Sequence, residues 1–180
     1  MEPDDDALVA QALGGRDEAF RVLFERHHRT VYRFVYAMTA DHTRAEDMVQ
    51  ETFVAAHRGL ASRRGEGRLT TWLCAIARNL LAKSMRGRRV QISETPAPLQ
   101  LVDPAHTPEE RVIAGELSEA ISRAVLQLDE EKRTAFVLKM IEGLSYEEAS
   151  AITGSAVAKL KTDVFRAKSR MRELLAGFIA

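Results

Sequence analysis

GLSYEEASAITGSAVAKLKTDVFRAKSRMREL, residues 143–174, predicts a helix-turn-helix and decides the fold of the C-terminal half. Ser145 and Glu148 form an S-x-x-E capping box, which satisfies backbone N–H groups at the start of a helix. Gly154 stands where the chain must turn sharply, a position that favours a residue without a Cβ. A longer helix follows, and its apolar residues recur at three- and four-residue steps: Val157, Leu160, Val164, Ala167, Met171 and Leu174.

The opposite side of this second helix carries basic and hydroxyl groups, which suit contact with bases and phosphates in the major groove. The candidates for contact with duplex DNA are Lys161, Thr162, Phe165, Arg166 and Lys168. Charge alone would also describe an amphipathic helix that simply faces water. The exposed aromatic position and the capped helix before it favour DNA binding.

Charge is unevenly distributed along the chain, although the formal net charge is zero. Residues 63–89 contain eight Lys or Arg and one acidic residue, and residues 157–172 contain six and one. Residues 91–110 contain four acidic residues and no Lys or Arg. Two basic clusters separated by an acidic stretch indicate two nucleic-acid contacts joined by a segment that avoids them.

Several classes of protein are disfavoured by the composition. Cys74 is the single cysteine, which excludes an internal disulfide and a cysteine-rich zinc site. The N-terminus is acidic where a signal peptide would be basic, and no apolar run approaches the roughly 20 residues that cross a bilayer. Glu25-x-x-His28 matches half of a carboxylate-bundle di-iron pattern, but a second such pair is missing. We therefore expect a cytoplasmic protein without cofactor, metal, membrane insertion or enzymatic activity.

Helical periodicity without sustained alternation predicts an all-α fold. The N-terminal half contains four predicted helices: one near Asp4–Leu13, a long one capped by Asp17, one opened by a capping box at Thr43-x-x-Glu46, and one from about Thr70 to Met85.

A proline-containing segment without helical period, residues 91–106, is predicted to be a flexible acidic linker. A new domain opens at Thr107-Pro108-Glu109-Glu110, which provides an N-cap, a first helical proline and a capping glutamate. A further helix over Asp129–Glu142 precedes the helix-turn-helix. The expected architecture is two small helical domains, an N-terminal helical bundle at residues 1–90 and a helix-turn-helix domain at residues 107–180.

Three motifs occur in order along the chain: Asp47-Met-Val-Gln50-Glu51-Thr-Phe53, then Arg68-x-x-x-Trp72-Leu73-x-x-Ile76-Ala77-Arg78-Asn79, then Gly143-Leu-Ser-Tyr-Glu-Glu-Ala. Their order, their spacing and the intervening linker resemble bacterial sigma factors of the extracytoplasmic-function (ECF) group, in the sigma-70 superfamily. The resemblance covers nearly the whole chain. It implies a non-catalytic initiation subunit that binds core RNA polymerase, directs it to promoter DNA and helps open the duplex. It also implies a separate anti-sigma factor.

The resemblance assigns polymerase docking to the third helix, with candidates Asp47, Gln50, Glu51 and Phe53. Such an interface would combine an aromatic anchor with a charged rim. By periodicity alone, the same residues equally describe an ordinary amphipathic helix with an acidic face in water.

The fourth helix is the candidate for recognition of the promoter −10 element, through Trp72, Arg78, Asn79, Lys83, Arg86 and Arg88. The cations would neutralise phosphates, and the amide of Asn79 offers both a donor and an acceptor to an unstacked base. The indole of Trp72 would serve equally well as a core residue. The loop at residues 64–70 departs from the aromatic, acidic loop usual in the family, which puts the −10 sequence in doubt.

The resemblance assigns the promoter −35 element to the helix-turn-helix. Asp163 stands where the family usually has a basic residue, and Lys159 where it has a small one. We expect Asp163 to weaken the attraction for phosphates; alternatively, it accepts a hydrogen bond from a base or orients Lys159. A transcriptional repressor or response-regulator module would share the helix-turn-helix and bind duplex DNA without polymerase. It would not explain the docking motif or the basic tryptophan helix.

Overall fold

The computed structural model describes residues 3–63, 67–85 and 108–179, and every regular element within these ranges is helical. The α-helices are α1 Asp5–Leu13, α2 Asp17–Thr39, α3 His42–Gly59, α4 Leu69–Met85, α5 Pro108–Leu126, α6 Glu130–Phe136, α7 Tyr146–Thr153, α8 Val157–Leu174 and α9 Ala176–Ile179. The all-α prediction is confirmed for these residues. The predicted linker at residues 91–106 lies outside the described residues. No helix in the described ranges is long and apolar enough to span a membrane.

The N-terminal half, α1–α4, is a bundle built around the long helix α2. Helices α1, α3 and α4 all pack on α2, and α3 also packs on α4. Phe34, Val35 and Tyr36 of α2 are fully buried, as are Leu73 and Leu81 of α4. Burying a side chain of this size stabilises the fold by about 1.5–3 kcal/mol, so the apolar periodicity of the sequence accounts for this bundle.

Two predicted helix starts are wrong in detail. The carboxylate of Asp41 caps α3 by accepting a hydrogen bond from the Arg44 backbone N–H at 3.0 Å, so Thr43 lies inside the first turn. Helix α2 begins at Asp17 itself, after Arg16, which makes no side-chain capping hydrogen bond. For α3, the capping residue Asp41 stands two positions before Thr43, and sequence spacing alone did not separate them.

The C-terminal half, α5–α9, contains the predicted helix-turn-helix in α7 and α8. Ser145 and Glu148 form the capping box, with the Ser145 backbone N–H donating to the Glu148 carboxylate at 2.7 Å. Gly154 ends α7 with a φ of 72°, a left-handed conformation that a residue without Cβ adopts readily. The predicted motif is therefore confirmed.

The segment before the helix-turn-helix is not the single regular helix that the sequence predicted over Asp129–Glu142. Asp129 caps α6, which is followed by a π-helical segment at Val137–Ile141. Its wider turn is seen where the Glu142 backbone N–H donates to the Val137 carbonyl at 2.9 Å, five residues earlier.

The two halves pack against each other along a contact surface between α2 and α6 and between α4 and α7, which we name the seam. Arg33 of α2 donates to the Glu142 carboxylate at 2.5 Å from Nε and 3.1 Å from Nη2. The Glu142 side chain is only 3% exposed and that of Arg33 is 18% exposed, so the carboxylate of this pair is buried at the seam. The sequence predicted two domains and did not predict this contact.

Cys74, on α4, is fully buried, and burial raises the pKa of its thiol well above the ordinary value. Because the thiolate is the reactive form, we expect a thiol reagent such as Ellman's reagent to label native protein very slowly and urea-denatured protein at once. The time course of absorbance at matched pH measures both rates. Rapid labelling of the native protein would mean that α4 is far more accessible than its packing indicates.

Candidate nucleic-acid and polymerase interfaces

The predicted DNA-reading residues of α8 share one solvent-exposed face. Exposed there are Lys161, Thr162, Phe165, Arg166 and Lys168. Phe165 is 70% exposed, the largest fraction among the exposed large hydrophobic residues in the described ranges. The opposite face packs inward through Leu160, Val164 and Met171. This arrangement suits a helix that presents cations, a hydroxyl and one apolar ring to a DNA groove.

A tyrosine that the sequence analysis did not select lies beside this face. The Lys161 ammonium lies 5.7 Å from the ring centroid of Tyr146, and the Lys139 ammonium lies 4.9 Å from the same centroid. Cations over an aromatic face at such distances are attracted to it. Tyr146 therefore attracts Lys161, the first residue of the predicted DNA-contact set on α8. The motif Gly143-Leu-Ser-Tyr already contained this tyrosine.

Asp163 does not belong to the exposed face of α8, and its expected weakening of the attraction for DNA phosphates stays a prediction. It is 7% exposed and accepts a hydrogen bond from the Lys159 ammonium at 2.7 Å. The same ammonium donates to Glu131 of α6 at 2.8 Å. These hydrogen bonds raise the pKa of Lys159. Of the alternatives offered by the sequence, orientation of Lys159 is the one that the geometry supports.

The predicted −10 residues of α4 differ in exposure. Asn79 and Lys83 are exposed, and Arg78 is half-buried at the seam. Trp72 is also half-buried and packs against the core, which agrees with the alternative that it is a core residue. Part of its side chain still faces solvent. Arg86 and Arg88 lie outside the described residues.

Acidic residues near the N-terminus contact Arg63, before α4, and Arg26 and His27 of α2, and the sequence analysis missed these contacts. Arg63 donates to Asp6 at 3.2 Å and Arg26 donates to Asp5 at 2.7 Å. The His27 ring bridges Asp5 at 2.8 Å and Thr70, the second residue of α4, at 3.2 Å. Burial lowers the pKa of His27, and Asp5 only partly opposes this effect. These contacts fix the position of the N-terminus of α4.

The predicted docking residues of α3 fall on two faces. Asp47, Gln50 and Glu51 are exposed. Phe53 is 5% exposed, and its ring lies edge-on to Phe24 with a centroid distance of 4.8 Å. Phe53 is therefore a core residue that cannot act as a projecting anchor, because it lies about 160° around the helix from the exposed Glu51. The exposed apolar residue beside it is Val54.

Comparison with known proteins identifies two matching segments of the chain. Two family descriptions match: Sigma-70 region 2 over residues 23–90, and Sigma-70, region 4 over residues 118–171. The ECF RNA polymerase sigma factor SigM of Mycobacterium tuberculosis is 32% identical over 174 residues, covering 97% of this chain and 86% of SigM. The chain belongs to the ECF group of the sigma-70 family.

Other members of the ECF sigma group are similar in sequence or structure. BldN of Streptomyces coelicolor is 31% identical over 170 residues, which cover 93% of this chain but only 64% of BldN. The sigma factor RpoE from Bartonella quintana, solved with the anti-sigma factor NepR, superposes with a TM-score of 0.68 at 28% identity. That superposition covers 87% of this chain and 96% of RpoE.

Proposed function

We propose that this ECF sigma factor binds core RNA polymerase and directs promoter-specific initiation of transcription. Residues 1–90 would dock on the polymerase and recognise and melt the −10 element, and residues 107–180 would recognise the −35 element. The observation that carries the proposal is the order of two basic helices, α4 and α8, inside the segments that match region 2 and region 4.

Each contact has a defined surface in this proposal. The exposed residues Asp47, Gln50 and Glu51 of α3 contact the polymerase, without Phe53 as an anchor. On α4 the exposed amide of Asn79 contacts a base and Lys83 contacts the backbone. The exposed face of α8 enters the major groove at the −35 element, where phosphate contacts position the helix and base contacts specify the sequence.

The proposal extends to regulation and location. RpoE was solved with an anti-sigma factor, and we extend that kind of partner to this chain. The protein would act in the cytoplasm, where the polymerase and the promoter are. It would contribute binding and strand separation, without an enzymatic activity or a cofactor of its own.

Reconstituted transcription tests the proposal against the helix-turn-helix regulator alternative. Purified protein, bacterial core polymerase and a promoter library with randomised −10 and −35 elements are combined, and the transcripts are sequenced. We expect transcripts from a defined promoter subset only when both proteins are present. Selective binding of duplex DNA by the protein alone, with no stimulation of core polymerase, would favour the regulator.

Replacing Asn79 by alanine removes a donor and an acceptor from an exposed position of α4. Since one good base contact discriminates by about 1–3 kcal/mol, we expect open-complex formation to fall roughly 5- to 150-fold and selectivity to relax at one −10 position. Potassium permanganate footprinting on the −10 variants measures both effects.

Lys83→Ala is the matched control for this experiment, because Lys83 is exposed on the same helix. It should weaken all −10 variants evenly and make the salt dependence shallower. If Asn79→Ala also loses activity evenly across all variants, Asn79 is not a base reader.

A further inference from the structure

A cavity of about 280 Å³ lies between α2 and α4 on one side and α6, α8 and the turn before α8 on the other. Phe34, Met38 and Leu160 form its apolar wall, and charged and hydroxyl side chains line the rest. An apolar wall with a few polar groups is typical of small-molecule sites, and this volume lies near the lower end of their range. The cavity therefore suits a small ligand.

Arg78 of α4 lines the cavity beside the turn that leads into α8. A Cβ added at Gly154 would lie 3.5 Å from Nη2 of Arg78, so the guanidinium lies against the backbone of this turn. Among the described residues, Arg78 has no hydrogen-bond or ion-pair partner. A guanidinium carries five N–H donors and can bind one carboxylate through two parallel hydrogen bonds. Arg78 is therefore available to an anion in the cavity.

The start of α8 adds further donors at the same end of the cavity. Ala156 is the N-cap of this 18-residue helix and supplies no side-chain hydrogen bond to its first turn. The first N–H groups of a helix lack partners within it, and the helix dipole favours an anion there. The adjacent Ser155 also lines the cavity, and its hydroxyl has no partner among the described residues. Together with Arg78, these groups form an anion-binding end.

A buried hydroxyl on α6 is a separate indication of a ligand. Thr134 lines the same cavity and is 6% exposed, and its Oγ1 has no hydrogen-bond partner within the part of the chain that the structure describes. Buried polar atoms without a partner are rare in folded proteins. A ligand that carries an oxygen next to Thr134 would supply the partner.

The acidic residues of the cavity decide the charge of the ligand. Glu131 and Asp163 accept hydrogen bonds from the Lys159 ammonium at 2.8 and 2.7 Å, so one cation serves two carboxylates. Glu130 adds a third, exposed carboxylate to the lining. These negative charges repel a doubly charged phosphate monoester more strongly than a singly charged carboxylate. A single negative charge therefore suits the cavity best.

We propose that this cavity binds a small monocarboxylic acid with an apolar body. The carboxylate pairs with Arg78 and the start of α8, and the apolar body packs on Phe34, Met38 and Leu160. Because the walls come from both halves of the chain, the acid binds only the packed arrangement and stabilises it. The site does not include the exposed face of α8 or Asn79, so the inference goes beyond the proposed function and does not depend on it.

An NMR titration of the full-length protein with 3-phenylpropanoate tests the site, because amide shifts report both affinity and location. We expect saturable shifts at residues 154–156 and at the amides of α4 around Arg78. Two further probes keep the ring and change the charge: 3-phenyl-1-propanol is neutral, and phenyl phosphate carries mainly two charges at pH 8. The alcohol should bind at least about tenfold more weakly, since it cannot form the charge-assisted hydrogen bonds, and the phosphate should also bind more weakly than the carboxylate.

Two pairs of variants locate the carboxylate. Arg78→Gln should weaken binding of 3-phenylpropanoate at least about tenfold, whereas Arg123→Gln removes the same charge from an exposed position of α5 outside the cavity and should bind as wild type. Ser155→Asp places a carboxylate of the chain itself at the anion-binding end. It should raise the melting temperature and weaken probe binding at least about tenfold, whereas the uncharged Ser155→Asn should weaken binding by no more than about threefold.

The Ser155→Asp variant keeps the test decisive if Arg78→Gln disturbs the packing of the turn. Equal binding by Ser155→Asp and Ser155→Asn would place the acid elsewhere and overturn the inference. Equal binding of the alcohol, or tighter binding of phenyl phosphate, would overturn the assignment to a monocarboxylate. Amide shifts that do not saturate by about 10 mM 3-phenylpropanoate would show that the cavity does not bind such an acid.

Discussion

Phe53→Ala is expected to lower the free energy of unfolding by about 3–5 kcal/mol, a large part of the roughly 5–15 kcal/mol typical of a folded domain. The Phe53 ring is buried and packs edge-on against Phe20 and Phe24, so truncation leaves a cavity between α2 and α3. Urea denaturation followed by circular dichroism measures the loss. Polymerase binding by this variant would fall as a consequence of unfolding.

The control is Asp47→Ala, an exposed residue on the same helix. We expect it to change the free energy of unfolding by no more than about 0.5 kcal/mol and still to weaken co-purification with core polymerase. The opposite pattern, an undiminished stability of Phe53→Ala with lost polymerase binding, would return Phe53 to the docking surface as a direct anchor.

Asp163→Arg is expected to destabilise the C-terminal half by about 1–3 kcal/mol, because it forces a longer side chain into a nearly buried position and places a second cation beside Lys159. Asp163 is nearly buried, and Lys159 also depends on Glu131 for its position between α6 and α8. Thermal unfolding measures the stability, and binding to a randomised −35 library measures recognition. We expect weaker binding across the whole library.

Thr162→Arg is the informative control, because Thr162 is the exposed neighbour of Asp163. It adds a cation to the face of α8 that we propose reads DNA, so affinity should rise for many sequences and the salt slope should steepen by about 0.9 for one added phosphate contact. If Asp163→Arg behaves like Thr162→Arg and melts like wild type, its side chain points towards DNA and the buried placement is wrong.

Local signals in the sequence predicted the parts of the fold that local chemistry decides. The capping box of Ser145 and Glu148 and the left-handed turn at Gly154 each need only a few adjacent residues, and both were confirmed. The rotation of a helix is harder to predict, because one residue corresponds to about 100° around the axis. That is why the sequence named Phe53 as a docking residue although it is buried, and why the burial of Asp163 was not predicted.

The seam could not be predicted from local signals at all. Arg33 and Glu142 are separated by 109 positions, and each reads in isolation as an ordinary charged residue in a helical pattern. Glu148 was recognised for its local capping role, which concealed its contact with Thr71 across the seam. The capping box alone accounts for a glutamate at this position, so nothing in the sequence indicates that Glu148 also contacts Thr71.

The π-helical segment at Val137–Ile141 has a consequence for how the sequence of this protein can evolve. A wider turn is equivalent to one residue inserted into an α-helix, so it turns everything after it by about 100° relative to an uninterrupted helix. The angular position of Glu142, opposite Arg33, therefore depends on the number of residues in the segment as well as on their identity. A single-codon deletion there could yield a more regular helix while directing the carboxylate away from its partner.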